Sequence, residues 1–186
     1  VIRQAGSHYA REIGQIKNLV REIRRNYRLH AKDENMKEYV ERSLQELNQL
    51  EKNYIEILFA QVQLGKFKNL RPEDFSKRIE ELDQKIEDAI SKGNSDLADI
   101  LRQQKEILEK RKNKVNSGQQ MAEILEAQKQ TVKETLNLLR DSSLDPTSLP
   151  QQTEKVQKVL NAFDSLHDTF QEIETLSNVS TVRLRQ

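Results

Sequence analysis

The sequence predicts an all-α protein, an elongated antiparallel bundle of five to six helices arranged as coiled-coil hairpins. Three observations carry that prediction. From Leu97 to Leu139, positions stepping alternately four and three are apolar at nine of thirteen places, and a period of about 3.5 residues keeps one narrow seam on a single side of a helix. Charged residues make up 33% and hydrophobic residues 35% of the chain, which suits long helices that bury one stripe and solvate the rest. Three Pro and five Gly, set against periodic apolar spacing, argue against disorder for all but the ends and one linker.

The first helix is predicted over residues 2–30, with Ile2, Tyr9, Ile16 and Ile23 at one seam position and Ile13, Val20 and Tyr27 at the other. Polar residues 31–35 read as a tight connection, and Asp33 as a cap for the next helix. The second helix, 35–65, begins as a stripe of Met36, Val40, Leu44, Leu47 and Leu50. It then broadens into Tyr54, Ile55, Ile57, Leu58, Phe59, Val62 and Leu64. One partner helix cannot cover so wide a band, so this half is expected to be the most buried segment, touching at least two helices.

Residues 65–71 read as a break, after which Pro72, Glu73 and Asp74 give a proline at the first helical position and acids near the positive end of the helix dipole. The third helix carries Phe75, Ile79, Leu82, Ile86 and Ala89 and stops at Gly93-Asn94, where Asn94 or Ser95 can cap the fourth helix. Over 95–140, Asn116-Ser117-Gly118 favours a break, but the seam keeps its phase through it. One long helix, kinked at most, is the favoured reading. Residues 141–150, with two prolines and three serines, form the clearest linker. A last helix is expected over 151–178, on Val156, Val159, Phe163, Leu166, Phe170 and Ile173. The domain reading is therefore a basic/acidic hairpin (1–65), a hairpin containing the long helix (72–140), the linker (141–150) and a C-terminal helix (151–178) packing on the bundle, together one structural unit.

Composition narrows the chemistry. No Cys is present, which excludes disulfides and thiolate metal sites, and no apolar run approaches the roughly 20 residues that span a bilayer. His8, His30 and His167 lie on separate segments, so metal-ligand spacing is missing. All five glycines are isolated and no strand is predicted, which leaves no phosphate-cradling loop. No glycine-flanked Ser stands out as a nucleophile. The chain reads as non-enzymatic, with no cofactor, metal or small-molecule substrate. Its start at Val-Ile-Arg, with a helical pattern already running at Ile2, is read as the start of a segment of a longer protein.

Charge is unevenly placed. Residues 1–32 hold eight Lys/Arg against two acids, and residues 33–64 hold three against seven. Complementary flanks of neighbouring helices are the favoured account. The alternative is that Arg21, Arg24, Arg25 and Arg28, which advance around helix 1 and cannot all pair with helix 2, contact an anionic surface. Nucleic acid is disfavoured as a partner, because aromatic interleaving is limited to Tyr9 and Tyr27 within the seam. Gln104, Arg111, Gly118 and Lys129 interrupt the long seam. Polar residues at such positions set register or partner number, so a weak or concentration-dependent dimer is expected.

Two local strings resemble known families. Leu166-His167-Asp168-Thr169 resembles the phosphoacceptor box of one class of sensor histidine kinases, which would make the chain a phosphotransfer bundle using His167; Phe170-Gln171 departs from that pattern. The basic leading part, the more acidic later parts and the glycine turn in 90–100 resemble phage-shock protein A and the ESCRT-type membrane-remodelling filaments, though Gly65–Pro72 interrupts the opening helices early. That resemblance implies a membrane-surface assembly module acting through the basic first helix. The leading expectation is a non-catalytic helical scaffold or protein–protein interaction module. It would be a soluble cytoplasmic segment of a larger protein, or the cytoplasmic part of a membrane-associated one, binding a protein partner or itself through helix faces.

Overall fold

The computed structural model of the chain describes residues 6–30, 36–145 and 149–164. It is all-α, with no strand among the described residues. The α-helices are α1 (Gly6–His30), α2 (Lys37–Leu64), α3 (Pro72–Ser91), α4 (Ser95–Ser142) and α5 (Leu149–Asp164), and a 3-10 turn covers Gly65–Phe67.

The described chain gathers into two compact units. Among the described residues, one is built from the stretches up to Gln63 and from Ile124 to Asp164, the other from Leu64–Glu123. The sequence-based boundaries at 65–72 and 141–150 follow helix ends, whereas the contacts divide inside α4, between Glu123 and Ile124. Because α4 is continuous from Ser95 to Ser142, one helix supplies core residues to both units.

In the first unit, α1 buries Ile16, Val20, Ile23 and Tyr27, following the predicted seam, while Tyr9 and Ile13 are half-buried. Along α2 the buried side chains include Val40, Leu47, Leu50, Tyr54, Ile57 and Leu58. The broad band of α2 is not buried throughout: Phe59 is 55% exposed and Ile55 half-buried. Each residue turns the helix by about 100°, so Phe59 lies roughly 200° around from Ile57, on the far side. α1 and α2 run antiparallel, with Arg24 against Asn48 (2.8 Å) and Glu51 (3.5 Å) and Glu12 against Tyr54 (2.6 Å). The second part of α4 adds Leu125, Val132, Leu136 and Leu139 to the core, and α5 buries Val156, Leu160 and Phe163. At the end of α4, Asn26 Nδ2 donates to Ser143 Oγ (2.8 Å), which donates in turn to the Arg140 carbonyl (2.6 Å).

In the second unit, α3 starts as the sequence predicts, with Pro72 in its first turn after an extended Arg71 and with Glu73 and Asp74 next in the chain. It buries Phe75, Leu82, Ile86 and Ala89. Gly93 takes φ +69°, the left-handed conformation that suits glycine, and the Asn94 amide closes the helix end onto the Ala89 carbonyl (2.9 Å). Of the two cap candidates, Asn94 serves: its Oδ1 accepts from the Leu97 amide (3.2 Å). α3 returns along the first part of α4, as Asp83–Lys105 (2.6 Å) and the Arg111 guanidinium over the Phe75 ring (5.6 Å) show.

α4 is continuous through Asn116-Ser117-Gly118. Gly118 stays because the Phe67 ring packs where its β-carbon would stand, 2.5 Å from Phe67 Cδ2. Gln119 Nε2 fastens the same turn by donating to the carbonyls of Phe67 (3.3 Å) and Leu70 (2.7 Å).

α5 starts at Leu149, two residues before the expected position, with Pro150 in its first turn. A proline there costs little, because its missing amide would have no intrahelical partner. Expected positions from Leu166 onward, His167 among them, lie outside the described residues, as do the predicted connection 31–35 and its Asp33 cap.

Candidate functional site

The four arginines singled out in the sequence divide by environment. Arg24 is half-buried and committed to α2, through Asn48 and Glu51. Arg21 is exposed and donates to Asn18 one turn earlier (2.8 Å), which leaves its charge unbalanced. Arg25 and Arg28 are exposed and carry no ion pair among the described residues, and the same holds for Lys17. At helical spacing Lys17, Arg21, Arg25 and Arg28 share one face of α1. The structure thus sets a solvated cationic face beside a single inward-turned arginine.

A polar cluster with a mostly buried centre at Glu12 and Lys129 and exposed ends at His8 and Glu126 crosses α1, α2 and α4 inside the first unit. The Tyr54 hydroxyl donates to Glu12 Oε1 (2.6 Å), and Lys129 Nζ lies 3.7 Å from the same oxygen and 2.8 Å from Glu126. Gln61 Nε2 donates to the same Glu126 oxygen (2.7 Å), and His8 Nε2 stands 3.7 Å from Glu12 Oε2. Glu12 and Lys129 are only 14% and 15% exposed. Burial, then the hydrogen bond to Glu12, raises the Tyr54 hydroxyl far above the ordinary tyrosine range. The bond from Lys129 holds the Glu126 carboxyl below its ordinary value. Tyrosine is therefore a fixed donor here, and the cluster pins three helices in one register.

Glu12 Oε2, Asn53 Nδ2, Tyr27 Oη and Gln128 Oε1 are buried without a hydrogen-bond partner among the described residues. Burial, with the nearby charge of Glu46, pushes Tyr27 up to about 12. Sequence reading flagged Lys129 as a polar intrusion but missed Glu12 and Tyr54. The signal available was an acid inside the α1 stripe, at Glu12 beside Ile13.

Two grooves flank this cluster. One of about 410 Å³, of mixed character, is lined by Glu12, Ile16, Leu19, Glu22, Lys133 and Arg140, among others. An apolar one of about 160 Å³ lies between Tyr9, Ala10 and Ile13 of α1 and Leu58, Phe59 and Val62 of α2.

The second unit carries a different feature. On the first part of α4, Leu97, Ile100 and Ile107 are 43%, 53% and 51% exposed. With Gln104 and Arg111, both exposed, they step three and four along one face. Gln104 and Ile107 border a groove of about 400 Å³ whose other wall is Arg78, Glu81 and Lys85 of α3. Leu97 was expected within the buried seam; Ala98 takes the buried position instead.

Among the described residues no three potential ligands of the His, Cys, Asp and Glu types come together to hold a metal. No helix among them is long and apolar enough to cross a membrane. No family model matches the chain, and no curated protein or solved structure is found to resemble it.

Proposed function

We propose that this chain is a non-catalytic interaction or scaffold module whose helices, paired as coiled-coil hairpins, present an apolar helix face to another protein. The observation that supports this most is the row Leu97, Ile100 and Ile107, three large apolar side chains left in water at heptad spacing. Water penalises such a row at about 25 cal/mol per Å² of apolar surface, so a helix that covered it would be held there. The buried polar groups support the reading from the other side, since Glu12, Tyr54 and Lys129 bind one another across helices. The test is a photo-crosslinking residue at Ile107, compared with one at the exposed Glu80 on α3. Protein adducts specific to position 107 are expected in cells that make the protein; equal, low yields at both positions would refute the reading.

A second reading, a membrane-surface assembly module, is favoured by one observation: the cationic face of Lys17, Arg21, Arg25 and Arg28. Each such residue near an anionic leaflet contributes about 1 kcal/mol. Co-sedimentation with phosphatidylserine vesicles should then occur at low salt and vanish at high salt. No binding at low salt would remove this reading.

A further inference from the structure

We infer that the exposed row on the first part of α4 is the docking surface for a second copy of the same segment, laid antiparallel across a two-fold axis near Gln104. The inference rests on the interaction-module reading above and names its partner. The row has the spacing of a helix-pairing seam: Leu97, Ile100, Gln104, Ile107 and Arg111, alternating three and four. Such a seam fits another helix better than a globular pocket. A second apolar seam on α4, through Leu108 and Val115, is already buried within the unit, so the exposed row is additional to it.

Charge selects the partner and its direction. The N-terminal end of the row carries Asp96 beside Leu97, whereas Asp99 is already paired with Arg102 (2.7 Å); its C-terminal end carries a net positive charge from Arg111, Lys112 and Lys114, with Lys110 paired to Glu106 (2.5 Å). A parallel pair would stack Arg111 on Arg111 within the seam itself and set acids against acids. An antiparallel pair lays the acidic end of each copy on the basic end of the other and opposes the helix dipoles. It also brings Ile100 near Ile107 across the axis, because both lie within four residues of Gln104. Two glutamine amides meeting at the axis can each donate and accept. A two-fold contact of this kind is self-complementary, as closed dimers require. Few apolar side chains take part, so the association is weak, in the class of small transient interfaces.

The chain has no cysteine, which makes disulfide trapping clean. Gln104→Cys, at the axis, is expected to form a disulfide-linked dimer under mild oxidation. Leu97→Cys alone should not, but a mixture of Leu97→Cys and Arg111→Cys should yield the mixed dimer. Sedimentation equilibrium of the unmodified chain should show a concentration-dependent dimer at high micromolar concentration, lost in Ile100→Gln/Ile107→Gln with an unchanged thermal melt. Efficient self-linkage of Leu97→Cys would overturn the antiparallel arrangement. A monomer at every concentration, with no linkage at Gln104→Cys, would overturn self-docking altogether. In that case adducts to a different protein at position 107 would leave the interaction-module reading standing, and their absence would remove both.

Discussion

The Phe67 ring and the α-carbon of Gly118 share one site: a β-carbon on Gly118 would fall 2.5 Å from Phe67 Cδ2 and 2.7 Å from Cγ. Those ring atoms lie close to the backbone and cannot swing away as the tip of a long side chain can. Gly118→Ala gains about 1 kcal/mol of helix propensity but meets a steric cost of about 1–3 kcal/mol. Net destabilisation is expected in denaturant melts. In a Phe67→Ala background the same change should become stabilising by about 1 kcal/mol. Equal effects in both backgrounds would dissociate the glycine from the ring.

Leu58 and Phe59 are neighbours with opposite fates, at 2% and 55% exposure. Leu58→Ala should cost about 2–5 kcal/mol, the range for emptying a packed leucine site. Phe59→Ala should cost under about 1 kcal/mol despite removing the larger side chain. Urea melts of the two variants distinguish them, and a reversed order would place the core on the other side of α2.

Lys129 sits between Glu12 and Glu126. Lys129→Met leaves Glu12 buried beside an apolar chain, and a loss of about 2–4 kcal/mol is expected, near the lower end of the penalty for breaking a buried pair. Glu12→Gln in the same chain should restore part of it. Tyr54→Phe, which removes the donor to Glu12, should cost about 1–3 kcal/mol. A double-mutant cycle between positions 54 and 12 that gives no coupling would contradict the 2.6 Å bond.

Alkaline stability depends on Tyr27 and Tyr54, both raised above the ordinary value of 10.0. The folded state holds these protons more tightly than the unfolded chain does. Their contribution is therefore intact below pH 10.0 and is lost as pH rises from there through the folded values. Unfolding free energy measured from neutral to strongly alkaline pH should fall above that point, and more gently in Tyr27→Phe and Tyr54→Phe. Parallel curves for all three proteins would contradict the assignment.

Much of the helical layout was legible because it rests on local rules. Pro72 with Glu73 and Asp74 marked a start, Gly93-Asn94 marked an end, and an unbroken phase from Val115 to Ala122 carried α4 through a poor helix-forming triplet. The purpose of the polar interruptions of that seam was not legible. Three of the four are answered by a residue remote in sequence: Gly118 by Phe67, Arg111 by Phe75 and Lys129 by Glu12. Periodicity reports which side of a helix faces a neighbour, but not which neighbour. For the same reason Arg24 could not be told from Arg25: one residue of rotation decides whether a guanidinium meets Glu51 or water.

The first unit is discontinuous in the chain, since 60 residues of the other unit separate Gln63 from Ile124. On a ribosome, α1 and α2 emerge while Lys129, the counter-charge for Glu12, has yet to be synthesised. The second unit's 64–123 segment is contiguous and closes shorter loops, the condition under which native contacts form early. Synthesis order therefore hands the nascent chain a hairpin with a buried acid still awaiting its cation. In that interval Glu12 has its Tyr54 donor from α2 but not yet its Lys129 cation from α4.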